Sequence, residues 1–216
     1  KKEKQQVQIN QQYGLSYEIV GQNLYPNNHP YNWPVIGYTD DLDRADLDDL
    51  KNFFLRWYGP NNAVLTVAGD VNSMEVVKLV EKYFGSINSG PKVRDLRANV
   101  PRLTQDKYCG YTDNIYLPMT QIVFPTVPNY HKDEAALDIL ATLMGEGTSS
   151  IFYKNFVKTE KAIQAIVQHP CRELSGEFQF IVLSYPKWGE DERLYFNDIE
   201  SQIRSSIVEW EKNGFS

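Results

Sequence analysis

The sequence has 216 residues, 42% of them hydrophobic, so one large or two small domains with a real core are expected. Lys and Arg number 22 against 28 Asp and Glu, a net charge of −6 that is spread without blocks of one sign. This balance does not favour a nucleic-acid-binding surface or a polybasic membrane patch, and no apolar run is long enough to be a transmembrane segment.

Residues 1–20 are polar, rich in helix formers and free of proline, which predicts helix over at least part of this stretch. Residues 21–37 hold three prolines and several turn formers, and we expect an ordered loop that aromatic side chains attach to the domain. His29 lies in this loop. A His-Pro pair among aromatic residues is more typical of packing and hydrogen bonding than of zinc ligation.

Residues 46–58 form the clearest predicted helix, with Asp46 as the N-cap and Asp49 close to a capping box. Apolar residues at three- and four-residue spacing predict a buried face. Gly59 permits a left-handed helix end, and Pro60 cannot continue a helix.

Residues 63–68 are a short apolar, β-branched run, which predicts a buried strand. A second capped helix is predicted over residues 73–84, with Asn72 or Ser73 as the cap and Gly85 at its end. Residues 86–102 read as an extended linker.

The second half of the sequence alternates between strand and helix patterns. Strands are predicted at residues 106–116, 119–124, 162–169 and 177–184, and helices at residues 131–144, 151–157 and 192–212. In the first of these helices, Ala136, Ile139, Leu140 and Leu143 are predicted to face inward. The order of elements predicts an α+β fold with a mainly antiparallel sheet and helices packed on it.

Three short motifs give the sequence a family likeness: Trp-Tyr-Gly-Pro-Asn-Asn-Ala at residues 57–63, Val-Ala-Gly-Asp-Val at 67–71 and His-Pro-Tyr at 29–31. With these, nearly the whole chain resembles part of the pitrilysin/insulinase-type, inverted-motif zinc peptidases, which include the mitochondrial processing peptidases. The resemblance implies the mitochondrial processing peptidase-like fold. It makes residues 1–37 the C-terminal tail of the zinc-binding subdomain and residues 38–216 the companion subdomain.

The resemblance also assigns one metal ligand. In the family, a helix reading Asn-Glu-(Lys/Arg)-(Arg/Gln)-Gln comes before a Tyr-Gly pair, and its Glu is the third zinc ligand. Here Lys-Glu-Lys-Gln-Gln at residues 2–6 precedes Tyr13-Gly14, so Glu3 falls on the ligand position. The alternative is that Glu3 is one more solvated carboxylate near a frayed terminus.

The family's other ligands lie in an H-x-x-E-H motif, where zinc activates a water for attack on the peptide bond. The three histidines are His29, His131 and His169, and no two are four residues apart. We therefore expect no catalytic residue in this chain, no tight zinc binding and no cleavage by the chain alone. The sequence begins without Met, and we expect further residues on both sides, with any such motif several dozen residues before Lys1.

The resemblance implies a part of a zinc metalloendopeptidase that hydrolyses unstructured peptides and works with a second homologous half, in the same chain or as a separate subunit. The alternative is a non-catalytic partner half. No substrate-binding residue is assigned, because the Arg that many members carry after Ser-Ser is Ile151 here. Resemblance alone favours a periplasmic or exported bacterial protein. The distant Cys109 and Cys171 allow one disulfide or, as the better reading, two buried thiols.

Overall fold

The computed structural model describes residues 1–187, 189 and 191–214. The chain divides into two compact units. The first unit combines Lys1–Ile36 with Ala98–Ser216, and the second is Gly37–Arg97.

The described residues form seven α-helices and three strands. The helices are α1 (Lys2–Lys4), α2 (Ser16–Leu24), α3 (Thr39–Arg44), α4 (Leu47–Trp57), α5 (Ser73–Phe84), α6 (Glu134–Gly145) and α7 (Glu192–Asn213), and the strands are β1 (Met119–Thr126), β2 (Ala162–Gln168) and β3 (Gly176–Ser184). Short 3₁₀ turns lie at Pro30–Asn32 and Pro60–Asn62, and π-helical turns at Gln5–Ile9 and Tyr153–Val157.

The sheet of the first unit has the strand order β1-β3-β2, and both pairings are antiparallel. β2 and β3 form the predicted hairpin, and β1 pairs with the other side of β3. The α+β class with an antiparallel sheet is therefore confirmed.

The central strand β3 is buried on both faces. Because side chains alternate along a strand, Phe178, Phe180 and Val182 point to one face while Glu177 and Gln179 point to the other. The apolar face packs into a core formed with α6, α7 and the turn at Tyr153–Val157. This core contains Ala141, Met144, Phe152, Phe156, Ala162, Val167, Phe178, Phe180, Val182, Tyr195, Ile199 and Ile203.

The inward face of α6 matches the predicted one only in part, since Leu140 packs against the core as predicted. Ala141 and Met144 are buried, whereas Ile139 is 60% exposed. The helix is turned by its close approach to β2, where a Cβ on Gly145 would lie 2.8 Å from the backbone nitrogen of Val167. A periodic pattern gave the helix but not which of its two apolar stripes contacts the sheet.

In the second unit, the caps of α4 and α5 are confirmed. Asp46 Oδ1 accepts hydrogen bonds from the backbone nitrogens of Asp48 and Asp49, both at 2.9 Å. Asp49 Oδ2 accepts from the backbone nitrogen of Asp46 at 3.2 Å, which completes the capping box. At α5, Asn72 is the cap.

Three local predictions were wrong. Residues 63–68 form no strand, and Val64 is 95% exposed. A strand requires ladder bonds to a neighbour, and the described second unit contains helices but no strand to supply them. Residues 106–116 likewise form no strand.

Gly59 has φ −74°, so it does not end α4 in a left-handed conformation. A Cβ there would lie 2.8 Å from the backbone nitrogen of Gly90, so glycine is required for space.

The apolar faces predicted for α4 and α5 are amphipathic but not enclosed. Their exposed side chains include Leu47, Leu50, Phe53, Phe54, Val77 and Phe84. On α5, Val76 and Val80 are only half-buried, and they share a cavity with Leu65 and Val67.

Candidate functional site

Glu3 lies in the short helix α1 and is exposed. Its neighbour Lys4 is buried, and Lys4 Nζ lies 3.0 Å from Glu18 Oε2 on α2. This ion pair ties the turn that carries Glu3 to the following helix. The Glu3 carboxylate is therefore accessible on a turn whose next residue is held in place.

The segment between these helices is tightly folded. Tyr13 has φ 60°, and its hydroxyl donates to the backbone oxygen of Leu117 at 2.6 Å. A Cβ on Gly14 would lie 2.1 Å from the backbone oxygen of Gln8, so only glycine fits there. The Tyr-Gly pair of the sequence motif is thus a compact turn attached to the chain just before β1.

His29 has the packing role that the sequence favoured. It is 3% exposed, its ring stacks on Tyr25 at 4.6 Å, and Nδ1 accepts from the backbone nitrogen of Tyr31 at 3.1 Å. Burial, together with the positive charge of Arg172, lowers the pKa of His29. The ring is therefore neutral with its proton on Nε2, which is buried without a hydrogen-bond partner among the described residues.

A charged and aromatic group joins residues 1–36 to the sheet. We call Arg172, Glu177, Tyr17, Tyr25 and Tyr31 the Arg172 cluster. The guanidinium carbon lies 3.9 Å from the ring centroid of Tyr31, 5.4 Å from that of Tyr17 and 5.6 Å from that of Tyr25. Arg172 also hydrogen-bonds Glu177 and the hydroxyls of Tyr17 and Tyr25.

Glu177 is 2% exposed, and its carboxylate is fully engaged. Tyr25 donates its hydroxyl to Oε1 at 2.9 Å, and Gln179 Nε2 donates to Oε2 at 2.6 Å. Burial lowers the pKa of Arg172, but Glu177 and the two tyrosines raise it by more, so the net pKa is raised. Arg172 and Glu177 are therefore held by protein partners rather than by solvent.

A second polar group lies next to the Arg172 cluster, where the chain leaves the C-terminal end of β2. His169 Nδ1 is 2.8 Å from Asp138 Oδ1 on α6, and its Nε2 is 2.9 Å from Thr126 Oγ1 on β1. Cys171 Sγ is 3.7 Å from the same nitrogen and donates to the backbone oxygen of Val127 at 3.1 Å. Burial, with Glu134 and Asp138, raises the pKa of the Cys171 thiol, which disfavours the thiolate form. The group joins α6 to the sheet.

Both cysteines are free, and Cys109 is exposed rather than buried as predicted. The three histidines also have separate surroundings, since His131 lies before α6, where its Nδ1 accepts from the backbone nitrogen of Asp133. Within the described residues, no group of three or more His, Cys, Asp or Glu is arranged to hold a metal ion. The described residues therefore form no complete zinc site, and Glu3 is an exposed carboxylate without a second candidate ligand grouped with it.

Sequence reasoning missed the Arg172 cluster. The available signal was Glu177, a carboxylate inside the apolar stretch Gly176–Ser184. A charged residue at a position that strand pairing buries requires a partner. Arg172, the charged partner, is only five residues away, but the Tyr25 hydroxyl that completes the group is 152 positions away, and the local pattern does not contain it.

Residues 44–200 match the family described as "Peptidase M16 inactive domain". The chain belongs to this family. The predicted kinship with pitrilysin/insulinase-type zinc peptidases is thereby confirmed.

Relatives of this M16 chain are named as peptidases, several of them as zinc proteases. The chain is 31% identical over 162 residues to the zinc protease PqqE of Helicobacter pylori. The matched region covers 72% of this chain and 36% of that protein. The chain is 29% identical over 133 residues to the mitochondrial-processing peptidase subunit beta of Caenorhabditis elegans, covering 60% and 28%. The chain thus spans about a third of the curated relatives that it matches.

Solved structures agree on the fold. A protease from Helicobacter pylori superposes with a TM-score of 0.71 at 28% identity, over 98% of this chain and 50% of that one. A peptidase M16 inactive domain from Pseudomonas fluorescens gives a TM-score of 0.71 at 15% identity, over 98% and 49%. The latter likeness shows the fold alone. Among the described helices, none has both the length and the apolar character needed to cross a bilayer.

Proposed function

We propose that this chain is the non-catalytic portion of a zinc metalloendopeptidase. In this proposal residues 38–216 are the companion subdomain and residues 1–37 are the tail of the zinc-binding subdomain. The observation that carries it is the match of residues 44–200 to an inactive-domain family whose relatives are named zinc proteases. The full-length protein, meaning the longer protein that contains this chain, would supply the remaining zinc ligands.

In this proposal Glu3 is the third zinc ligand. Its exposed carboxylate, on a turn held by the Lys4–Glu18 ion pair, supports the assignment. Zinc, when bound, lowers the pKa of a water so that it can attack a peptide carbonyl. The chain's part is to present one ligand and to provide the companion subdomain beside it.

The proposed substrates are unstructured peptides. A peptide held as an added β-strand offers its backbone N–H and C=O groups to a sheet edge. In a folded protein most of those groups are already paired. We further propose a second homologous half as partner, and an exported location, since the similar fold of PqqL from Escherichia coli is that of a periplasmic protease.

The second candidate is a non-catalytic partner of an active copy. The description of the matched family as inactive favours it. The two candidates differ in one feature of the full-length protein, the presence of H-x-x-E-H before Lys1.

The test is zinc content and peptide cleavage of the full-length protein, with Glu3→Gln beside it. Glu211→Gln, at an exposed carboxylate on α7, is the matched control. We expect about one zinc for each catalytic half, loss of zinc and cleavage in Glu3→Gln, and neither loss in Glu211→Gln. A full-length protein without zinc contradicts the enzyme proposal and favours the partner. If zinc and cleavage survive Glu3→Gln, the ligand assignment is wrong.

A further inference from the structure

Arg172 projects from a rigid turn between β2 and β3. Cys171 and Gly176 form a bridge across this turn, and Arg172 donates its backbone N–H to the oxygen of Ser175 at 3.2 Å. The backbone oxygen of Arg172 accepts from Asn129 at 2.9 Å. The base of the side chain is therefore fixed to the sheet.

The head of the side chain is held by residues far away in sequence. Tyr17, Tyr25 and Tyr31 all belong to residues 1–36, whereas Arg172 lies in the β2–β3 turn and Glu177 on β3. A planar guanidinium can stack on aromatic rings and donate several hydrogen bonds in fixed directions, which an ammonium group cannot do. The cluster therefore specifies one arrangement of residues 1–36 on the sheet.

The buried carboxylate makes that arrangement costly to leave. If residues 1–36 moved away, Glu177 would lose the Tyr25 hydroxyl, and Arg172 would lose its three rings. A buried charge that loses hydrogen bonds without gaining water is strongly disfavoured. Arg172 and Gln179 would still contact Glu177, so docking of the segment adds the Tyr25 hydroxyl to a carboxylate that is already partly satisfied.

A continuous series of contacts extends from the cluster to Glu3. Tyr17 and Glu18 are adjacent on α2, and Glu18 holds the buried Lys4 at 3.0 Å. Lys4 is adjacent to Glu3 on α1. A displacement of Tyr17 from Arg172 is therefore transmitted to the turn that carries the Glu3 carboxylate.

We infer that Arg172 is a positioning residue for the metal-ligand segment, fixing residues 1–24 and with them Glu3 on the companion sheet. The inference rests on the proposed function for its consequence at zinc. In this inference the companion subdomain supplies no zinc ligand but orients the segment that carries one. The loss of an outer partner that orients a ligand typically weakens metal affinity by about 10- to 100-fold.

The test uses the full-length protein with Arg172→Lys, which keeps the charge and loses the planar stacking. Arg44→Lys is the matched control, because Arg44 also pairs with a carboxylate, Asp41, but is exposed in the second unit. The measurements are hydrogen exchange of the amides in residues 2–24 and zinc affinity by competition with a chelator. We expect faster exchange and about tenfold weaker zinc binding or more in Arg172→Lys, and neither change in Arg44→Lys.

A second variant guards against misfolding. Arg172→Met with Glu177→Gln removes both charges, so no unpaired charge stays buried. If either variant is folded by circular dichroism and retains wild-type exchange and zinc affinity, the inference is overturned. If the wild-type protein binds no zinc, the proposed function fails and the consequence at zinc fails with it. Faster exchange of residues 2–24 would then still show that Arg172 docks the segment, and unchanged exchange would refute that too.

Discussion

The hydroxyl of Tyr25 donates a hydrogen bond of 2.9 Å to the carboxylate of Glu177, although the two residues are 152 positions apart. Tyr25 follows the end of α2, and Glu177 lies on the central strand β3. The bond joins the first 36 residues to the sheet at a place that solvent does not reach. Its contribution to the free energy of unfolding can be measured.

Tyr25→Phe should destabilise the protein by about 1–3 kcal/mol, because it removes one donor from a buried carboxylate while keeping the ring. Urea unfolding measures the change. Tyr130→Phe is the matched control, since Tyr130 is exposed, and it should change stability little. Equal losses in the two variants would contradict the role given to the Tyr25 hydroxyl.

Alkaline pH should weaken the same site. Burial, reinforced by Glu177, raises the pKa of Tyr25 above its usual value of 10.0. A raised folded-state pKa gives stability that is complete below the unfolded value and is lost as pH rises above it. We expect the stability of the wild type to fall above pH 10 by more than that of Tyr25→Phe, measured by urea unfolding across this range. Parallel losses would show that Tyr25 is not the group responsible.

Acid should act through His29. Its pKa is lowered from 6.5 by burial and by Arg172, so the folded state binds a proton less readily than the unfolded chain. The contribution to stability is therefore lost as pH falls below 6.5. His29→Phe keeps an aromatic ring against Tyr25 but does not titrate. Between pH 7.5 and 5.5 the wild type should lose more stability in urea unfolding than His29→Phe, and an equal loss would argue against this origin.

Gly145→Ala should destabilise the packing of α6 on β2 by about 1–3 kcal/mol, because the added Cβ would overlap the Val167 backbone. Gly110→Ala provides a control, since a Cβ there meets nothing within 4 Å. Thermal unfolding of both variants measures the difference. A Gly145→Ala variant as stable as Gly110→Ala would mean that the two elements can separate at little cost.

Asp46→Ala should weaken the start of α4, since it removes the side chain that caps the backbone nitrogens of Asp48 and Asp49. The typical cost is about 1 kcal/mol. Hydrogen exchange by NMR should show faster exchange of these two amides. Lys51→Ala, which removes only an exposed ion pair to Asp48, should leave them slow. Similar protection in both variants would contradict the cap.

Local signals predicted those features that depend on neighbouring residues. The capping box at Asp46, the hairpin of β2 and β3 and the long helix α7 follow from caps, alternation and helical spacing. The strand predicted at residues 63–68 failed because apolar, β-branched composition shows only that a segment can be extended. Whether it becomes a strand depends on a partner that composition does not provide.

The candidate site also contains residues that the sequence indicated and residues that only the structure revealed. A resemblance in sequence selected Glu3, and the structure shows that residue exposed on α1. No sequence pattern selected Arg172, because its partners are three tyrosines and a carboxylate brought together from residues 17–31 and 177. Such groups form only when distant segments pack.

By itself, the sequence determined the class of fold, the family and the main helices and strands of the second half, because caps, turn residues and periodic apolar positions act within a few residues of one another. Only the tertiary structure decided which stripe of α6 faces the sheet and what covers the polar face of β3. Those outcomes depend on burial, and burial is settled by contacts between segments as far apart as Tyr25 and Glu177.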